Sequence, residues 1–175
     1  MKRKFTFLFF LILTCGVYAQ NKALPKWFSQ TFKRNGLNSK FDLAYFAKPS
    51  FLHTDLNGDK IEDIVALVIN KVSKKKGILV MHNVSHEYYL IGAGSKFGKT
   101  GFDDFDDMKW MDGWEVIKDK VVYGTKFDNG DIIGSTPRNL KNNSIAVWQT
   151  QDGVPLAGGI IYWTGIKYAW IHQGE

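Results

Sequence analysis

Cysteine is all but missing from this 175-residue chain: Cys15 is the only one, and it lies near the N-terminus. No disulfide can form within the chain, so the fold must be held by its core rather than by covalent staples. Long apolar runs are missing as well, and nothing beyond the N-terminal segment approaches the roughly eighteen residues that mark a membrane-spanning helix. With only four prolines, there is no Pro-rich linker to divide the chain, nor any low-complexity tract. The four histidines, His53, His82, His86 and His172, make no zinc pattern, because His82-x-x-x-His86 spans a strand and a turn rather than one helical face. No Gly-x-Ser-x-Gly elbow is present, so a Ser-His-Asp set could be assembled only by arbitrary choice.

What is there begins with a basic segment, Met1-Lys2-Arg3-Lys4, followed by an almost wholly apolar run over residues 5–13. Val17-Tyr18-Ala19 then offers tolerated residues at −3 and −1 of a cleavage point before Gln20. This is the three-part plan of a secretory signal, too short to span a bilayer stably; a membrane anchor or a buried helix is the alternative. Ile12-Leu13-Thr14-Cys15-Gly16 loosely resembles a lipoprotein box, but Thr directly before Cys fits it poorly, so a lipid anchor on Cys15 is disfavoured. The expectation is a signal peptide over 1–19 and a single β-rich domain over 20–175, exported to the periplasm or exterior of a bacterium. Cleavage after Ala19 discards Cys15 and with it any thiol chemistry. It also removes three of the 23 basic residues, so 20 Lys and Arg stand against 17 Asp and Glu and the formal charge falls from +6 to +3. The cluster Lys74-Lys75-Lys76 reads as a solvated hairpin tip, and no nucleic-acid module accompanies it.

Leu24, Trp27, Phe28 and Phe32 share one helical face, with Pro25 in the first turn, Lys33 and Arg34 in the last, and Asn35-Gly36 as the stop. From Phe51 onward the pattern is β, with strands expected over 64–69, 78–82, 88–91, 114–118, 145–150, 160–163 and 168–172. Residues 64–69 and 78–81 are nearly continuous apolar runs, as central strands covered on both faces require. The chain ends in a hairpin turning at Thr164-Gly165, with Tyr162 on one face and Trp163 on the other. The fold class expected is mainly β (α+β): one antiparallel sheet with one N-terminal amphipathic helix packed on it.

Asp55-Leu56-Asn57-Gly58-Asp59-Lys60-Ile61-Glu62-Asp63 sets oxygen-bearing side chains at positions 1, 3, 5 and 9 of a short loop. Hard cations such as Ca²⁺ take six to eight oxygens, and Asp55, Asn57, Asp59 and Asp63, with the carbonyl of Ile61, are the candidate ligands. An EF-hand would need a bidentate Glu at position 12, where Ala66 stands, and a Gly at position 6, where Lys60 stands. A metal-free Asx-rich turn is the competing reading, since Asp, Asn and Gly are turn formers. The pattern Asp-x-Asn-Gly-Asp-x-x-x-Asp, followed by Ile64-Val65-Ala66-Leu67-Val68 and later by Gly77-Ile78-Leu79-Val80-Met81, resembles an FG-GAP or integrin-α-type repeat. That resemblance implies Ca²⁺ held by Asp55, Asn57, Asp59, Ile61 and Asp63 between two strands, and it covers only residues 50–82 or so. A propeller needs at least about four such blades, so one copy cannot make one. The chain is also similar to small exported bacterial proteins that share this loop and end in a Tyr-Trp…Tyr-x-Trp hairpin.

Residues 93–100 formally match a permissive Walker A pattern with Ala93 in place of the first Gly. A P-loop must open a helix, however, and the acidic stretch that follows is a poor helix and repels phosphate. Asp103, Asp104, Asp106, Asp107, Asp112 and Glu115, interleaved with Phe102, Phe105, Trp110 and Trp114, form the densest acidic region. It reads either as a carbohydrate-processing or cation-binding cleft, or as a solvated loop whose aromatics anchor it to the core. No nucleophile, base and orienter can be named together. The expected function is therefore a non-catalytic exported binding module with a Ca²⁺-stabilised loop, contacting an envelope protein or glycan, with an inhibitor or immunity role among the versions. A hydrolase of envelope carbohydrate or peptide acting through the Asp103 to Glu115 region is the alternative, and a structural envelope component is a third.

Overall fold

The computed structural model describes residues 23–97 and 105–174. The segment expected to be a signal peptide, with Cys15, and Asp103 and Asp104 of the acidic region lie outside the described residues.

Helix α1, Lys26–Arg34, starts after Pro25 and ends at Asn35. Gly36 takes φ +66°, the left-handed conformation that glycine adopts without penalty, and its N–H bonds the carbonyl of Lys33 at 2.9 Å. Lys33 and Arg34 lie at the negative end of the helix dipole. Phe28, Thr31 and Phe32 are buried, with Leu24 and Trp27 packed beside them. A second, four-residue helix, α2 (Leu37–Lys40), follows at once.

The first sheet is built from β1 (Phe41–Ala44), β2 (Phe51–Thr54), β3 (Asp63–Asn70), β4 (Lys76–Met81) and β5 (Tyr88–Gly92). All its pairings are antiparallel, and β1 and β2 share one edge of β3 in tandem, β2 along Asp63 to Ala66 and β1 along Leu67 to Asn70. Alternation decides which side chain goes where. Val65, Leu67, Ile78 and Val80 enter one core; Ile64, Ala66, Val68, Leu79 and Met81 enter a second beneath α1. The expectation that β3 and β4 are covered on both faces holds.

The single sheet does not. A second antiparallel sheet, in the order β11-β10-β9-β6, is made of β6 (Gly113–Ile117), β9 (Ser144–Gln151), β10 (Val154–Trp163) and β11 (Tyr168–Gly174). Trp114, Ile145, Val147 and Ile161 from this sheet complete the first core, so the two sheets pack face to face. The physical reason is that α1 covers only one face of the first sheet, and the other apolar face needs a partner that nine helical residues cannot supply.

A two-stranded ribbon, β7 (Val121–Asp128) and β8 (Asp131–Asn139), turns at Asn129 and Gly130 with φ +50° and +96°. It crosses the outer edge of β11, where Thr125 Oγ1 donates to the Gly174 carbonyl at 3.1 Å and Gln173 Nε2 donates to the Tyr123 carbonyl at 2.7 Å. Val122 from the ribbon and Leu140 just after it pack with Ile160 and Ile171 on the far face of the second sheet. Tyr162 joins that cluster while Trp163 joins the inter-sheet core, as their alternation requires. The terminal hairpin turns one residue later than expected, with Gly165 and Ile166 between Thr164 and Lys167, whose N–H and carbonyl bond at 2.9 Å.

Candidate functional site

The acidic loop joins β2 to β3, and its side chains are bonded to its own backbone. Asp55 accepts the N–H of Gly58 on Oδ1 at 2.6 Å and that of Lys60 on Oδ2 at 2.9 Å. Asn57 Oδ1 accepts the Asp59 N–H at 2.9 Å, and Asp59 Oδ1 the Ile61 N–H at 2.8 Å. Lys60, which stands where an EF-hand has glycine, takes φ +69°, so the sharp bend is made there without glycine.

Asp63 behaves differently from the other three. It is fully buried, and its two oxygens accept the N–H groups of Leu56 at 3.0 Å and Asn83 at 3.1 Å. Burial pushes its carboxyl above the usual aspartate range, against the pull of those two amides. The loop is further pinned by Asn142, whose Nδ2 donates to the Leu56 carbonyl at 3.1 Å. By chemistry these oxygens suit a hard cation, and a carboxylate with one amide on each oxygen keeps a lone pair on each. Among the described residues, though, no three His, Cys, Asp or Glu side chains gather closely enough to hold an ion.

The acidic region resolves into separate fasteners. Asp106 is ion-paired with Lys75, and that contact holds its carboxyl below the usual range. Asp107 Oδ1 accepts the N–H groups of Lys76 and Lys109 at 3.0 and 3.1 Å. Asp112 accepts both the N–H and the hydroxyl of Thr150, at 3.0 and 2.7 Å. Glu115 is exposed on β6 and, among the described residues, is the one acidic side chain lining a shallow groove of about 340 Å³. Trp114 is buried in the core with its Nε1 donating to the Pro49 carbonyl at 2.8 Å, while Phe105 and Trp110 pack edge-on around Trp170. The aromatics here serve as anchors. Of the Walker-like stretch, the described part is a turn closed by the Ser95 N–H on the Gly92 carbonyl at 2.9 Å, and it opens no helix.

The histidines stay apart as ligands. His53 bonds Glu62 at 2.9 Å near the surface, His86 lies 3.3 Å from the Thr31 hydroxyl, and His82 is buried against Tyr168.

A larger concavity lies elsewhere. A cleft of about 1010 Å³ opens between the β7–β8 ribbon and the outer edge of β11, with Lys96 and Phe97 also on its lining. Arg138, Lys167 and His172 line it together with the rings of Tyr162 and Trp170, and no Asp or Glu does so among the described residues. Reading for motifs missed this cleft because it has none: its walls come from four separate stretches of the chain. The Asn129-Gly130 pair was the available signal, since Asn-Gly between β-like runs marks a tight hairpin.

Comparison of the chain with protein-family models, with curated proteins and with solved structures finds no match in any of the three.

Proposed function

We propose that this chain is an exported, non-catalytic binding module of the bacterial envelope that contacts an envelope protein or glycan. The observation that carries this reading is the cleft of about 1010 Å³ between the β7–β8 ribbon and β11, walled by rings and cations. Concave, partly aromatic surfaces with a few convergent polar groups are the usual form of a ligand site. The tethering of Asp106, Asp107 and Asp112 to separate backbone and side-chain partners supports binding over hydrolysis, since a glycosidase needs two carboxyls facing one bond. Basic residues 2–4, the apolar run after them and Ala19 support export.

In this reading Ca²⁺ would draw Asp55, Asn57, Asp59, Asp63 and the Ile61 carbonyl of the 55–63 loop around it, from positions in which the carboxylates stand apart. The ion's part is structural: it would cross-link the entry to β3.

The test is retention of the mature chain on envelope fractions, with and without a chelator, beside turnover assays on cell-wall substrates. Saturable retention without turnover is expected. Turnover that disappears when Asp103, Asp104, Asp106 and Asp107 are changed to alanine would replace this reading with the hydrolase.

A further inference from the structure

We propose that Asn129, at the tip of the β7–β8 ribbon, is a site of spontaneous deamidation, a one-way change that loosens the ribbon as the protein ages.

Three Asn-Gly pairs occur in the chain: Asn35-Gly36, Asn57-Gly58 and Asn129-Gly130. The same chemistry is open to each. The backbone nitrogen of the glycine bonds to Cγ of the asparagine. The side-chain nitrogen leaves as ammonia, taking the glycine amide proton with it, and a five-membered cyclic imide remains. Water then opens the imide at one carbonyl or the other, giving aspartate or isoaspartate. Glycine favours ring closure because it has no Cβ to crowd it. The reaction needs a free glycine N–H, a free asparagine side chain and room for the ring. The fold provides these unequally.

At Asn57 it provides none of them. The Gly58 N–H donates to Asp55 Oδ1 at 2.6 Å, Asn57 Oδ1 accepts the Asp59 N–H at 2.9 Å, and Asn57 Nδ2 donates to Asp59 Oδ2 at 3.2 Å. Space is closed as well, since a methyl group on Gly58 would stand 2.7 Å from Asn142 Oδ1. Asn35 is exposed, but its attacking nitrogen is engaged: the Gly36 N–H donates to the Lys33 carbonyl at 2.9 Å. At Asn129 all three conditions are met. Both turn residues are exposed, and among the described residues neither the Asn129 side chain nor the Gly130 N–H has a hydrogen-bond partner. Nothing lies within 4 Å of a methyl group built on Gly130.

The product matters because the turn is so short. Asp128 pairs with Asp131 across it, and Phe127 with Ile132. A two-residue loop of this kind needs positive φ at both positions, which Asn129 and Gly130 supply at +50° and +96°. Isoaspartate lengthens the main chain by a methylene inside that loop, and the pairing on either side must shift to take it up. Either product also sets a new carboxylate between Asp128 and Asp131, where like charges repel.

The experiment is incubation of the chain at mildly alkaline pH, folded and in urea, followed by tryptic mapping in a mass spectrometer. The three asparagines fall in separate peptides, 35–40, 41–60 and 127–138. In the folded chain 127–138 should gain the mass of an amide turned to acid roughly tenfold or more faster than 41–60, because the bond from Gly58 to a carboxylate must break before that nitrogen can attack. Peptide 35–40 should fall between them, and in urea the three rates should converge. Asn129→Gln, whose longer side chain closes its ring far more slowly, should leave 127–138 unchanged. Faster conversion of either other peptide in the folded chain, the same ratios in urea, or conversion of 127–138 in Asn129→Gln would each overturn the site. Hydrogen exchange on the isolated isoaspartate form reads the consequence: amides of 121–128 and 131–139 should exchange faster than in the fresh chain. Ribbon amides that exchange at the fresh rate would overturn the loosening.

Discussion

The hydroxyl of Tyr168 lies 2.9 Å from Nε2 of His82, a bond between the first residue of β11 and the residue that follows β4. It is the polar contact in an otherwise aromatic seam between the two sheets: Tyr89 and Trp163 pack against the imidazole at centroid distances of 5.1 and 5.0 Å. Burial pushes the Tyr168 hydroxyl far above the usual tyrosine range, so it remains an O–H at every working pH. The two groups satisfy each other in a place where water does not reach either.

Tyr168→Phe should therefore be costly despite removing one atom. It keeps the ring and leaves a buried imidazole nitrogen without its partner, which costs about 1–3 kcal/mol. For a chain of this size that corresponds to a melting temperature lower by roughly 2–4 °C for each kcal/mol. Thermal unfolding followed by circular dichroism reads it directly. An unchanged transition would show that packing alone holds the seam.

Asp63 gives a dependence on pH whose sign can be worked out. Its folded carboxyl is raised above the ordinary value of 3.8, with burial the largest cause and the Leu56 and Asn83 amides opposing it. A raised acid binds its proton more tightly folded than unfolded, so its contribution to stability is fully present below the unfolded value and is lost as pH rises through the folded one. Asp63→Asn has no such titration, and it sets an NH₂ against one of the two backbone N–H donors. The wild type should be the more stable at acid pH, with an advantage that shrinks as pH climbs past the folded value. Urea unfolding of both proteins across that range measures it; an advantage that grows with pH would mean that the two amides outweigh burial.

The central strands were legible in the sequence because burial on both faces leaves an unbroken apolar run, and Ile64 to Ile69 and Ile78 to Met81 are such runs. The helix was legible because Trp27, Phe28 and Phe32 recur at helical spacing. β1 and β2 went unread for a plain reason: four residues each are too few to show a period. β8 is exposed along nearly all its length and carries Gly134 and Pro137, so it has no alternation to read. Division into two sheets is not written in any one strand, because residues such as Val65 and Ile145 look alike whether they face each other or lie side by side. In the acidic loop the residue types were visible, but the inward turn of Asp63 depends on Asn83, twenty residues away.

Gly158 tests the packing of the second sheet. A methyl group there would stand 2.1 Å from the Val147 carbonyl oxygen and 2.8 Å from Trp148 Cα, both backbone atoms of β9 that have no rotamer to yield. Gly158→Ala should force β9 and β10 apart, costing about 1–3 kcal/mol or more as overpacked cores do. The midpoint of denaturant unfolding should fall accordingly. A wild-type midpoint would mean that the two strands separate more easily than their pairing implies.

Calcium in the 55–63 loop is checked by an increment rather than by a stability. Asp55→Ala removes two backbone bonds, from Gly58 and Lys60, and so should weaken the loop whether or not an ion binds. What separates the cases is the rise in melting temperature that added Ca²⁺ brings to each protein. A ligand selective for the folded state contributes about 2.7 kcal/mol at a hundred times its dissociation constant. The wild type should show such a rise, together with a calorimetric heat of binding, while Asp55→Ala and Asp59→Ala should lose both. No heat with the wild type, or the same heat with both variants, would leave the loop as an Asx turn whose carboxylates exist to hold amides. Asp63 should be the least tolerant ligand position of the four: its oxygens also bind Leu56 and Asn83, so its loss removes part of the core along with the site.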